Sequence, residues 1–315
     1  MRPLDQTGLY EDLLSRLTLN WQGLSDKPQE TPELTLRRLW FFAAGEFKVL
    51  SDGSLPLLQE DGAAHLQDLV AARVRGTPLA YLIGRQPFLG LDLLASPDAM
   101  IPRVETEILA RAAVAAVQSI TLDPSRAKTR ALDLCCGSGN VALAIAAGEK
   151  SCQVLGADLS PGAIRIAMRN AEHLGLSDRV KFIVSDLFAA FDPADPANHF
   201  DLITCNPPYI ATAKVELLPD EIKAYEPRMA FDGGPFGVKI FTRLLRDAPR
   251  FAAPGAVLCF EVGLGQGPAI ANLMKKDGRY GMPEFFNDTN GAVRAIKTEI
   301  LAPREMLDVP VKEEE

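Results

Sequence analysis

The chain has 315 residues, 47% of them hydrophobic and 23% charged, an ordinary globular composition with length enough for two domains around a sizeable core. A formal net charge of −8 argues against broad, sequence-independent contact with a phosphate backbone, which needs a basic surface to release counterions. Met1 to Asp5 carries no secretory pattern, and the apolar runs Ile108 to Val117 and Val141 to Ala147 are too short to cross a bilayer, so the cytoplasm is the expected location.

Leucines at Leu9, Leu13, Leu14 and Leu17 fall at helical spacing. The pattern returns at Leu36, Leu39, Trp40 and Phe41, and again at Leu66, Leu69, Val70 and Val74. Residues 1–78 are therefore expected to form a small helical domain. Residues 79–100 change character, with aromatic and leucine residues between turn signals at Gly84 and Gly90, and read as a hairpin linker. In Ile101-Pro-Arg-Val-Glu-Thr-Glu107, Glu105 or Thr106 could cap the helix that follows, and Arg103, stiffened by Pro102, could face a site.

Residues 101–302 alternate short apolar runs with helical stretches, and residues 303–315 read as a tail with a solvated end. Strands are expected at Ala131 to Leu134, Val154 to Ala157, Val180 to Val184, Asp201 to Thr204 and Ala256 to Val262, with an antiparallel last strand within Ala292 to Leu301. Helices are expected at Val141 to Ala147, Ala163 to Leu174 and Val238 to Phe251. Such alternation implies an α/β, Rossmann-like domain, a mainly parallel sheet with helices on both faces. Five cysteines, odd in number and without paired spacing, read as buried thiols of a reduced protein and not as a metal site.

The organising stretch is Ala131 to Ala142. A strand carrying Asp133 leads through Cys135, Cys136, Gly137, Ser138 and Gly139 into a helix. Glycines in such a turn let backbone approach a ligand, and helix-start N–H groups point at it, so a nucleotide-like cofactor is the natural occupant. Asp158 ends the next strand, where a carboxylate can reach ribose hydroxyls. Ser160 and Pro161 already supply the cap and first-turn proline of the next helix, which frees Asp158 from that task. Asp186 follows the third strand and Asn206 the fourth, so four polar features meet on one rim at the carboxyl ends of the strands.

Asn206-Pro207-Pro208-Tyr209 leaves the sheet in a rigid extended form, because the prolines fix φ and cannot continue a ladder. The Asn206 oxygen and the proline carbonyls can accept the two protons of a planar NH2 group, and Tyr209 adds a flat face. The element taken alone also occurs as a strand-ending turn with a packed tyrosine.

These residues resemble the S-adenosylmethionine-dependent methyltransferases, and within them the glutamine N5-methyltransferases of the HemK/PrmC type, which modify peptide-chain release factors. The ordered marks are Pro78 to Gly84, Ile101-Pro-Arg103 with Thr106-Glu107, Asp133 to Gly139, Asp158, Ser185 to Phe188, Asn206 to Tyr209, Glu226-Pro227 with Asp232-Gly-Gly234, and Glu261-Val-Gly263. The resemblance implies that residues 135–139 cradle the methionine part of S-adenosylmethionine, that Asp158 takes the ribose, and that Asp186 and Leu187 border adenine. It further implies that Asn206, Pro207 and Tyr209 hold the glutamine side chain, with Arg103 and Pro208 beside it, and that the helical domain grips a protein substrate, a release factor. Cys135 stands where the family has glycine, and Val104-Glu105 where it usually has Pro-Asp. Three other readings share some of these marks: an adenine N6-methyltransferase acting on nucleic acid, a glutamine methyltransferase with another target such as a ribosomal protein, and a cofactor-binding scaffold without turnover. Residues 210–225 fit either a lid over the reacting groups or a plain surface loop.

Overall fold

The computed structural model describes residues 6–24, 27–47, 54–123 and 128–301; the tail expected at 303–315 lies outside them. Three helices come first: α1 (Gln6–Leu19), α2 (Pro32–Ala43) and α3 (Glu60–Val74). Their apolar stripes meet in one core that contains Leu13, Leu17, Leu36, Leu39, Trp40, Leu66 and Val70. Thr31 caps α2 by accepting from the Leu34 N–H, with Pro32 at the first turn.

That core extends past residue 78. The linker opens with a one-turn helix, α4 (Leu79–Ile83), whose Leu79 and Ile83 complete the helical core. Gly84 ends it at φ 71°, a left-handed position open to glycine. The expected hairpin then follows as β1 (Arg85–Phe88) and β2 (Leu91–Leu94).

Next come α5 (Thr106–Thr121), β3 (Arg130–Leu134), α6 (Asn140–Gly148), β4 (Gln153–Asp158), α7 (Pro161–His173), β5 (Val180–Val184) and β6 (Phe200–Cys205). They are followed by α8 (Thr212–Val215), α9 (Asp220–Tyr225), α10 (Lys239–Asp247), β7 (Ala252–Glu261), α11 (Gly267–Asp277), β8 (Glu284–Asn287) and β9 (Val293–Glu299). The seven-stranded sheet has the order β5-β4-β3-β6-β7-β9-β8. Its first five strands run parallel, and β9 is antiparallel to both β7 and β8. Helices α5, α6 and α7 bury Leu109, Ala113, Val141, Ile145 and Ala167 in one core. Helices α10 and α11 bury Phe241, Leu244, Ile270 and Met274 in the other.

The expected strands are present and lengthen by a residue or more in most cases, whereas the helix expected over 238–251 stops at Asp247 and tightens into a 3-10 turn at Ala248–Phe251 that contains Pro249. Neither expected side-chain cap forms at α5. Its N-terminus is closed by backbone bonds from Thr106 and Glu107 to the carbonyls of Arg103 and Val104, which leaves both side chains for other work.

Because the chain leaves β3 for β4 and β5 on one side and returns to β6 and β7 on the other, β3 and β6 flank the topological switch point. A crevice opens there at the carboxyl ends.

Candidate active site

Asp133 shows how the floor of the crevice is built. Its Cα partner on β6 is Thr204, so the two side chains share a face, and Thr204 Oγ1 donates to Asp133 Oδ1 at 2.7 Å. Asp133 Oδ2 accepts from the Ala142 N–H at 3.0 Å, which binds β3, β6 and the start of α6 into one unit. Burial pushes the Asp133 carboxyl up to about 7 against the pull of these two bonds. Asp133 thus faces the crevice with both oxygens already engaged, and it fixes the turn above it.

That turn takes left-handed backbone at Cys135 (φ 55°), Gly137 (φ 54°) and Gly139 (φ 83°). At Gly139 an added Cβ would lie 2.8 Å from the Phe182 ring, so only glycine fits. Cys135 holds the same region with a side chain, at a cost of roughly 1 to 2 kcal/mol. Asp158, at the end of β4, accepts from the Gly137 N–H at 2.9 Å and from the Ser160 N–H at 2.9 Å. Burial raises its pKa and those bonds oppose the rise. Ser160 caps α7 through the Ala163 N–H, as its spacing predicts.

The turn, Asp158, Asp186 and Leu187 line one cleft, of about 960 Å³ counted to its open mouth. Asp186 is half exposed and pairs with Arg243 at 2.9 Å. Leu187 (φ 51°) is held by its carbonyl, which accepts from Ser185 Oγ at 2.7 Å. Asp98, Met100, Met229 and Ile240 complete the wall, and nothing in the sequence pattern marks them.

A second cavity, of about 760 Å³ counted in the same way, lies on the other side of Asn206. Arg103, Glu105, Pro207, Tyr209, Ile222, Glu261 and Arg294 are among its lining residues, while Pro208 faces the first cleft. Asn206, Met100 and Ala230 line both spaces. The Asn-Pro-Pro-Tyr segment is braced from behind by the 232–237 turn. Ile210 N–H donates to the Phe231 carbonyl, Thr212 Oγ1 donates to Asp232, and an added Cβ on Gly237 would lie 2.2 Å from the Tyr209 carbonyl oxygen.

Arg103 is buried and donates to Glu226 at 2.5 Å, while Glu226 also accepts the Ile101 N–H at 2.9 Å. Arg103 reaches the second cavity, and this ion pair clamps 101–103 against the segment that follows α9. Glu261, at the end of β7, accepts from the Tyr209 hydroxyl at 3.0 Å, and burial carries its carboxyl up to about 7. It is the fifth rim residue: a lone carboxylate closing an apolar run is the signal that Asp158 gives too. Glu105 pairs with Arg294 of β9 at 3.4 Å.

Within residues 210–225 lie the two short helices α8 and α9. Val215 and Ile222 bury against Phe231 beside the second cavity, and Glu221 is held by Lys27 at 2.9 Å and Arg73 at 2.6 Å, all three nearly sealed from solvent. The cover of the cavity is thereby fastened to the N-terminal helices. Among the described residues no group of three or more His, Cys, Asp or Glu could hold a metal, and no helix is long and apolar enough to cross a membrane.

Residues 125–290 match the family described as methyltransferase domain. The parallel sheet with its glycine turn and terminal acidic residues thus belongs to a methyltransferase. The chain is 36% identical to the release factor glutamine methyltransferase of Geobacter sulfurreducens, over 89% of this chain and 95% of that one. The protein of that name from Salmonella typhimurium is 33% identical over 86% and 91%. The hMettl16 catalytic domain, at 13% identity and a TM-score of 0.52 over 84% of this chain and 95% of that chain, shares the fold. The chain belongs to the release factor glutamine methyltransferase family.

Proposed function

We propose that this protein transfers the methyl group of S-adenosylmethionine to the side-chain amide nitrogen of a glutamine in a peptide-chain release factor. The observation that carries this reading is the meeting of two cavities at Asn206, one lined by the glycine turn and Asp158 and the other walled by Pro207 and Tyr209.

The first cleft fits the cofactor. The turn over 135–139 offers backbone without a side chain at Gly137, Asp158 stands where ribose hydroxyls would lie, and Leu187 beside Asp186 offers an apolar border for adenine. Bound there, S-adenosylmethionine would supply an electrophilic methyl on a positively charged sulfur. An amide nitrogen is a weak nucleophile, since its lone pair is shared with the carbonyl. Asn206 Oδ1 and the Pro207 carbonyl would accept the two amide protons, reduce that sharing and aim the nitrogen at the first cleft. Tyr209, pinned by Glu261, would form the wall against which the planar carboxamide lies. Orientation of this kind can lower a barrier by about 7 to 11 kcal/mol. Helices α8 and α9 would close over the acceptor side and limit water.

The N-terminal helices would contact the protein substrate, because they hold α9 through Glu221. The acidic surface argues against a nucleic-acid target. Incubation of the purified chain with S-adenosylmethionine and a release factor, followed by peptide fragmentation, is expected to place a single added methyl on a glutamine. Methyl transfer to DNA or RNA, with none to glutamine, would overturn the reading.

A further inference from the structure

We propose that Gln266 is a positioning residue that holds the Asn-Pro-Pro-Tyr segment in its methyl-accepting shape. The inference rests on the glutamine-methyltransferase reading above. Gln266 stands half-buried in the turn between β7 and α11, and it lines neither of the two cavities. Its Nε2 donates to the Tyr209 carbonyl at 3.0 Å and to the Gly237 carbonyl at 3.3 Å, while its Oε1 accepts from the Gly263 N–H at 2.9 Å.

The polarity of these partners leaves the carboxamide one orientation. A main-chain carbonyl can only accept and an N–H can only donate, so the NH2 group must face the two carbonyls and the oxygen must face Gly263. One side chain thereby ties three stretches together: the segment after β6, the 232–237 turn and the turn after β7. Two glycines make room for it. A Cβ on Gly237 would lie 3.1 Å from Nε2, and one on Gly263 would lie 2.8 Å from Oε1.

What Gln266 ties is the far end of the acceptor segment. At the near end Cys205 is still paired in the sheet with Leu134 and Phe260, and Asn206 Nδ2 donates to Thr106 Oγ1 at 3.2 Å. The φ angles of Pro207 and Pro208 are fixed by their rings, so few free torsions remain between the two ends. Tyr209 is gripped at its carbonyl by Gln266 and at its hydroxyl by Glu261. Its ring edge rests against Gly263, where an added Cβ would lie 2.9 Å from Cδ2. Holding the Tyr209 carbonyl therefore restrains the Pro207 carbonyl two residues upstream, the group that would accept one of the two amide protons. Without Gln266 the peptide after Tyr209 can rotate, and the Pro207 acceptor shifts with it. The cofactor turn lies between β3 and α6, and these three bonds all end elsewhere, so the cleft for the cofactor stays intact.

The test uses the full chain with S-adenosylmethionine and a release factor. Gln266→Met keeps the length of the side chain without its hydrogen bonds; Gln266→Glu keeps the shape and the acceptor for Gly263 but sets an oxygen against the two carbonyls. Each should lower kcat by about tenfold to a hundredfold, as a misplaced acceptor does, with the affinity for the demethylated cofactor, read by calorimetry, within about twofold of wild type. Ile270→Val, one turn along α11 and fully buried, loosens the same helix without touching these bonds; it should lower the melting temperature and leave kcat unchanged. Wild-type kcat in either Gln266 variant would overturn the inference. So would a loss of cofactor affinity as large as the loss of kcat, or an Ile270→Val enzyme slowed as far as the Gln266 variants, and in each case the glutamine product would still stand. If the wild type methylates no glutamine, the functional reading fails and takes the inference with it.

Discussion

Replacing Glu221 by Gln removes the one negative charge that joins α9 to both Lys27 and Arg73. The three side chains are 8%, 3% and 6% exposed, so solvent cannot take over the lost role. At an effective dielectric near 20, contacts of this length each carry roughly 6 kcal/mol of gross attraction, most of it offset by desolvation. Removing one partner of a buried pair costs about 3 to 5 kcal/mol net. Glutamine keeps the shape and one acceptor oxygen, which places the expected loss near 3 kcal/mol on that scale. Glu30, at 3.6 Å from Arg73, stays behind as the remaining counter-charge. Both tryptophans of the chain, Trp21 and Trp40, lie in the N-terminal helical region, and Arg73 rests 5.5 Å over the Trp21 ring. Urea unfolding followed by tryptophan fluorescence therefore reads the affected unit. The midpoint should fall by the equivalent of about 3 kcal/mol. The KM for the protein substrate should rise because the cover of the acceptor cavity is loosened, while cofactor affinity holds. Asp220→Asn, one residue away but 95% exposed on its side chain, should stay within about 0.5 kcal/mol of wild type. A Glu221→Gln chain as stable as the Asp220→Asn control would refute the argument that this cluster fastens the two parts.

Asn206→Ala should abolish methyl transfer with cofactor affinity within a few-fold by calorimetry; Asp158→Ala should act first on that affinity, lowering it by about tenfold to a hundredfold, the worth of one charge-assisted hydrogen bond. Gly237→Ala forces a Cβ to 2.2 Å from the Tyr209 carbonyl oxygen at a φ of 69° and must shift the Asn-Pro-Pro-Tyr segment, so kcat should drop more than cofactor binding weakens. Asp133, raised to about 7 by burial, binds its proton more tightly folded than unfolded, so its contribution to stability is complete below about pH 4 and is lost as pH rises through 7. Unfolding free energy measured across that window should fall by up to about 1.4 kcal/mol per pH unit, and Asp133→Asn should flatten the slope.

The sheet was readable because each buried strand is a short apolar run and each rim residue a polar break at its end: Asp133 and Asp158 announce themselves in this way. Glu261 does so as well, yet its place beside Tyr209 depends on β7 lying next to β6, which a linear pattern does not encode. Helix α11 and strand β8 escaped notice because Gly267 to Asp277 buries only Gly267, Ile270 and Met274, and Glu284 to Asn287 is mostly exposed on an outer strand. Thr106 looked like a helix cap; the tertiary partner Asn206 outbid that local use. The tether at Glu221 joins positions 194 and 148 residues apart, and no local spacing could have revealed it.

The two cavities have the residues Met100, Asn206 and Ala230 in common. On the proposed reading, each cavity having its own further lining residues, a spent nucleoside would leave from its side while the polypeptide stayed docked on the other. On the same reading, a single synthetic compound carrying an adenosine at one end and a carboxamide at the other, joined by a tether running past Asn206, would occupy both cavities at once. Its second half would bind at the high effective concentration set by the tether, giving a ligand far tighter than either half alone.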